Sequence, residues 1–174
     1  MRVSMWAGLA ILISISSLGA QELPRQFRGI RLGMSLEELT TALGEDSLFS
    51  FRGDRDVSFL PDPQQYLVET TGLSFVKRAF FQLHEGKLFI MAFSMNTGIV
   101  DYYSIFTALR EKYGEPGELS PRQSVWEDGG LRLTLERPLT VKYIDLEIFN
   151  GITGASSVEK TNELLRRQEF IDAF

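Results

Sequence analysis

Residues Phe75–His84 read FVKRAFFQLH and residues Lys87–Met95 read KLFIMAFSM, with only Glu85-Gly86 between them. Two runs rich in Phe, Ile, Leu and Val joined by a two-residue turn spell a β-hairpin. Such a turn sets the register: His84 faces Lys87, Leu83 faces Leu88, Gln82 faces Phe89 and Phe81 faces Ile90. One face then carries Phe81, Leu83, Leu88, Ile90 and Ala92. The other carries Phe80, Phe89, Met91 and Phe93 beside Gln82, His84 and Lys87. A sheet with one wet side alternates apolar and polar residues cleanly, and this hairpin does not. Either a C-terminal helix holding Val158, Leu164, Leu165, Phe170 and Ile171 covers the second face, or Phe80, Phe89, Met91 and Phe93 form an exposed patch. An exposed patch of this kind docks a partner protein or an apolar ligand. In that case replacing Phe89 and Phe93 together by Ser abolishes capture and leaves the fold intact; if they are core, the chain unfolds.

On either side of the hairpin lie two capped helices. Ser35-Leu36-Glu37-Glu38 is a capping box, after which Leu36, Leu39 and Leu43 fall on one helical face and Gly44 stops the run. Asp101 caps a second helix that reaches Tyr113, with Tyr102, Ile105, Phe106, Leu109 and Tyr113 forming its apolar stripe. Between the first helix and the hairpin, short strands are expected at Leu48–Phe51, Val57–Leu60 and Tyr66–Glu69. Beyond the second helix they are expected at Ser124–Glu127, Leu131–Glu136 and Val141–Phe149, with Asp128-Gly129-Gly130 as a turn. In the last of these, Ile144, Leu146 and Ile148 alternate with Asp145 and Glu147. A C-terminal helix is expected from Ser156, capped by Ser156-Ser157-Val158-Glu159.

Each part thus runs from a helix through Leu43-Gly44-Glu45 or Tyr113-Gly114-Glu115 into antiparallel strands. The expected class is α+β, as two helix-plus-antiparallel-sheet halves, 21–100 and 101–174, with an internal repeat and a C-terminal helix. The stretch from Gly33-Met34-Ser35 through Glu38 to Leu43-Gly44 matches the pattern G-M-S/T-x-x-E-x-x-x-x-L-G. In this it resembles the BamE/SmpA-like outer-membrane assembly lipoproteins, whose architecture the β-lactamase-inhibitor-protein-like domains share. The resemblance spans residues 29–44 and implies an exported α+β domain that works by protein contact. Those lipoproteins carry lipid on a cysteine, which this chain lacks.

The N-terminus fits export. Arg2 precedes an uncharged stretch to Ala20 with the apolar run Trp6–Ile13 at its centre, and Ser17-Leu18-Gly19 or Leu18-Gly19-Ala20 offers a small-residue cleavage end. Cleavage near residue 19 or 20 places the chain in the periplasm or outside the cell. An uncleaved anchor would need roughly 20 apolar residues, and Ser4, Ser14, Ser16 and Ser17 dilute this stretch. With no cysteine, disulfides, thiolate metal sites, cysteine nucleophiles and a direct lipid anchor are all excluded. The net charge is −5 and no basic stripe appears, which argues against a nucleic-acid partner.

Candidate chemistry is sparse. His84 is the lone histidine, beside a turn where a solvated residue is expected, and no G-x-S-x-G elbow supplies a serine nucleophile. Asp54 and Asp56 lack the spacing of a calcium loop, and Arg52-Gly53-Asp54 is a tripeptide that recurs by chance. No metal and no cofactor is therefore expected. The function expected is that of a non-enzymatic cell-envelope protein, in envelope assembly or as an inhibitor-like binding module, contacting an envelope partner. Two alternatives stand beside it: a carrier of small apolar ligands between sheet and C-terminal helix, and a hydrolase using carboxylates such as Glu127, Asp128, Asp145 and Glu147.

Overall fold

The structure is a computed structural model, and it describes residues 22–60, 64–156, 166 and 171. The described residues open with a small hairpin, β1 (Gln26–Phe27) and β2 (Ile30–Arg31), and helix α1 (Leu36–Glu45) follows. The capping box forms as the sequence indicates: Ser35 Oγ accepts from the Glu38 N–H at 3.2 Å, and the Glu38 carboxylate accepts from the Ser35 N–H at 2.8 Å. Leu39 and Leu43 are buried, and the helix continues through Gly44 to its cap at Asp46.

The main sheet is antiparallel throughout. Its first strands are β3 (Phe49–Ser50), β4 (Val57–Phe59), β5 (Gln65–Gly72), β6 (Val76–His84) and β7 (Lys87–Met95). After α2 (Tyr102–Tyr113) come β8 (Glu118–Leu119), β9 (Gln123–Asp128), β10 (Leu131–Glu136) and β11 (Thr140–Asp145). The spatial order is β3-β5-β6-β7-β11-β10-β9-β8, with β4 also on β5. Pairing of β7 with β11 makes one sheet of the two parts. The fold is α+β.

One face of the sheet holds the core. Val68, Phe81, Leu83, Met91, Phe93, Leu133, Leu135, Val141 and Tyr143 gather there, with α1, α2 and the β1–β2 hairpin packed over them. The stripe of α2 is only half-buried, since none of its residues is fully enclosed. The opposite face is wetter and carries the ion pairs Glu69–Arg78 (2.8 Å), Glu136–Lys142 (2.7 Å) and Glu127–Arg132 (2.6 Å).

The hairpin turn is as expected, with Glu85 and Gly86 both at positive φ, 49° and 73°, the geometry of a type I′ turn. The register beyond it is not. Leu83 faces Leu88, but Gln82 faces Ile90 and Phe81 faces Met91. Phe89 is the extra residue of a β-bulge, and one extra residue transfers every later side chain to the other face. Phe80, Phe89, Met91 and Phe93 therefore do not share a face. Met91 and Phe93 point into the core at 0% and 1% exposure, Phe80 lies half-buried on the opposite face beside Ala92, and Phe89 is buried at the bulge. With Ile90 and Ala92 moved out and Met91 and Phe93 moved in, the alternation that the simple register lacked is restored.

A second correction concerns β11, which ends at Asp145 and not at Phe149. A helix, α3, occupies 146–156. The Asp145 carboxylate accepts from the N–H groups of Glu147 (3.1 Å) and Ile148 (3.3 Å), the geometry of an N-cap. Ser156 thus lies inside the helix and does not cap it. Val158, Leu164, Leu165 and Phe170 lie outside the described residues, as does the whole segment 1–20.

Candidate functional site

With Met91 and Phe93 in the core, Phe89 buried at the bulge and Phe80 alone on the other face, the four form no common patch. A recess opens at one end of the sheet, where α2 meets β8 and β9. Gly114, at φ 82°, ends α2 and lets the chain turn sharply. Trp126 of β9 donates its Nε1–H to the Gly114 carbonyl at 2.8 Å, which ties the helix end to the sheet. Between them lies a cleft of about 550 Å³.

Its floor is aromatic, built from Tyr113 and Trp126 with Leu23 at the side. Burial pushes the Tyr113 hydroxyl above its ordinary pKa, so the ring stays neutral. Burial does the same more strongly to Tyr143, with Tyr113 adding to it. The rim is acidic: Glu22, Glu115, Glu118, Glu127 and Asp128 all line it and all are exposed. Glu127 pairs with Arg132 at 2.6 Å, Glu115 lies 3.7 Å from Arg110, and Glu118 accepts from Gln123 Nε2 at 3.2 Å. An aromatic floor beneath a ring of carboxylates attracts organic cations, by its field and by cation–π contact.

Reading the sequence by motif missed this cleft, although a signal was present. Residues 114–128 hold four acids, Glu115, Glu118, Glu127 and Asp128, against one cation, Arg122. Glu127 and Asp128, named above among the acids of the hydrolase alternative, here meet the Glu115–Glu118 loop.

The other candidates fall elsewhere. His84 faces Lys87 as expected, but it is half-buried with its ring 6.3 Å from Phe89, and its Nδ1 has no hydrogen-bond partner. Asp56 is no solvated loop acid: 3% exposed, it accepts from Arg52 Nε (2.8 Å), Nη2 (2.6 Å) and backbone N–H (3.0 Å). Among the described residues no three His, Asp or Glu side chains converge as metal ligands, and no helix is long and apolar enough to cross a membrane.

The class these features define is an α+β domain with one large antiparallel sheet, α1 and α2 over one face, and an acid-rimmed cleft at one end. The family model described as the TP0088 domain matches residues 25–155, from the β1–β2 hairpin into α3. The chain belongs to the TP0088 domain family. No curated protein and no solved structure matches it.

Proposed function

We propose that this chain is an exported cell-envelope protein that acts by non-covalent capture of a basic segment of a partner protein. The observation that carries the reading is the cleft: five exposed carboxylates around Tyr113 and Trp126. Export is inferred from Arg2, the apolar run Trp6–Ile13 and the small residues before Gln21. The two parts derive from one duplicated unit, a capped helix leading to a three-strand meander, β5-β6-β7 in the first and β9-β10-β11 in the second.

Hydrolysis by paired carboxylates draws less support from the same cleft. Such chemistry needs one acid held neutral by burial, whereas every carboxylate here is exposed.

The test is fluorescence anisotropy of a labelled Lys/Arg-rich peptide containing one aromatic residue, titrated with the full-length chain. The variant removes the three rim acids that have no ion-pair partner among the described residues: Glu22→Gln, Glu118→Gln and Asp128→Asn. Three surface charges, each contributing of the order of 0.5 kcal/mol, weaken binding about ten-fold, and raising the salt does the same. Equal affinity of variant and native chain, or binding indifferent to salt, refutes the cleft as the capture site. Mass mapping of the mature N-terminus tests export separately, since a chain still beginning at Met1 retains the segment as an anchor.

A further inference from the structure

A second recess flanks β8 on its other side, and its character is the reverse of the cleft's. It encloses about 310 Å³ beside the first turns of α2, lined chiefly by Tyr102, Tyr103, Phe106 and Leu119, with Ser124 and Arg137. The Tyr102 and Phe106 rings stack 6.4 Å apart and nearly parallel, at 11°, as its floor. Tyr103 and Leu119 form its lips and stand in water, 71% and 67% exposed. Isolated exposed apolar residues need no explanation, but two on opposite sides of an aromatic groove mark a surface built to be covered.

The hydroxyls of Tyr102 and Ser120 are committed, the Tyr103 hydroxyl stands in water, and Arg137 holds the one charge lining the groove. The Tyr102 hydroxyl bonds Ser124 Oγ at 3.2 Å and the Leu135 carbonyl at 3.3 Å, and Ser120 Oγ donates to the Gln123 carbonyl at 3.2 Å. The Arg137 guanidinium lies 4.0 Å over the Tyr102 ring and its Nε donates to the Pro121 carbonyl at 3.1 Å. Those two contacts orient the fork, and among the described residues neither Nη group has a hydrogen-bond partner and no carboxylate forms an ion pair with it. A fixed guanidinium with two free N–H-bearing nitrogens matches a planar anion in bidentate fashion. The groove supplies a single positive charge, with Glu118 adjacent to Leu119 in the chain, so it suits a monoanion and not a doubly charged phosphate.

We propose that this groove binds an amphiphilic carboxylate, an acyl or aryl chain ending in a carboxylate. The apolar part lies over Phe106 and Leu119, and the carboxylate bridges the Nη atoms of Arg137. This site is separate from the acidic cleft and independent of the capture reading.

The experiment is isothermal titration of the full-length chain with decanoate, decan-1-ol and decyl phosphate, repeated on Arg137→Gln, Arg137→Lys and Leu119→Asp after matching their melting temperatures to the native chain. Decanoate is expected to bind at least ten-fold more tightly than the alcohol, the ratio a charge-assisted pair gives. Arg137→Gln removes that preference, Arg137→Lys keeps part of it, and Leu119→Asp weakens both ligands. The proposal is overturned if decanoate does not bind, if acid and alcohol bind alike, if decyl phosphate binds more tightly than decanoate, or if Arg137→Gln keeps the preference. Should Arg137→Gln unfold through loss of its ring contact, Leu119→Asp decides alone, because that side chain is mostly in water: unchanged decanoate binding then refutes the site.

Discussion

Replacing Phe93 by Ala, with Phe80→Ala as its counterpart, separates the bulged register from the simple one. The simple register puts both rings on one face and gives them similar weight. In the structure Phe93 is 1% exposed, and its ring lies 4.4 Å from Phe27, 5.8 Å from Phe81, 6.2 Å from Tyr143 and 6.3 Å from Phe49. Truncating a buried Phe costs roughly 3–5 kcal/mol, more where the walls cannot collapse. Phe81 and Tyr143 are held by strands paired on both sides, so the upper part of that range applies, about 4–5 kcal/mol. Phe80 is half-buried on the wetter face, and its truncation costs about 1 kcal/mol on the area removed from contact. For a chain of this size the two variants lower the melting temperature by roughly 10–15 °C and 2–4 °C. Urea unfolding followed by far-ultraviolet circular dichroism measures both. If the two costs agree within about 1 kcal/mol, or if Phe80→Ala is the worse, the bulge is misplaced and the core assignment fails with it.

Two further outcomes are expected. Partial burial raises the Asp46 carboxyl, but the Arg28 guanidinium at 2.6 Å and the Leu48 N–H at 2.9 Å outweigh it and hold the group below its ordinary pKa; the Ser35 N–H lowers Glu38 and the Ser104 hydroxyl and N–H lower Asp101. A carboxyl lowered on folding adds stability above its unfolded pKa of about 4 and loses it as pH falls through the folded value, so stability should be level from pH 7 to 5 and decline below about 4. Asp46→Asn should shallow that decline, and an unchanged acid limb would remove Asp46 from the account. Gly72→Ala would place its Cβ inside van der Waals contact of the Val76 carbonyl, a backbone clash that costs roughly 2–3 kcal/mol, whereas Gly29→Ala meets open space and should leave the denaturation midpoint near that of the native chain.

What the sequence made legible was whatever depends on near neighbours. The Ser35–Glu38 box, the Asp101 cap, the Glu85-Gly86 turn and the Leu131–Glu136 strand all follow from residues within a few positions of one another, and all appear where expected. The bulge was hidden because an extra residue in a strand leaves no composition signal; its trace was the failed alternation itself, four large apolar side chains on a face that should have been wet. The end of β11 was hidden because Ile144, Leu146 and Ile148 alternate over too short a run to separate period two from period 3.6. Asp145, taken as an outward strand residue, is instead the cap that starts α3 and the partner of Arg25. The cleft needed the fold, since it joins Glu22 and Leu23 to the distant segment Tyr113–Asp128.

The two surface sites meet at β8, and the geometry of that short strand explains how one edge carries opposite chemistries. Neighbouring residues of a strand point to opposite sides, and β8 consists only of Glu118 and Leu119. Glu118 turns to the acidic cleft and Leu119 to the aromatic groove. The pairing of Glu118 with Val125 and Leu119 with Ser124 fixes which residue goes where. A slip of one position would send a carboxylate over Phe106 and an apolar side chain into the acidic rim, spoiling both sites at once. Gln123 anchors the register: its carbonyl accepts from the Ser120 N–H (2.9 Å) and hydroxyl (3.2 Å), its N–H donates to Ser120 Oγ (3.2 Å), and its Nε2 donates to the Glu118 carboxylate (3.2 Å). Gln123 is thus a positioning residue for both proposed sites while lining neither, and the short, exposed strand β8 is the wall between them.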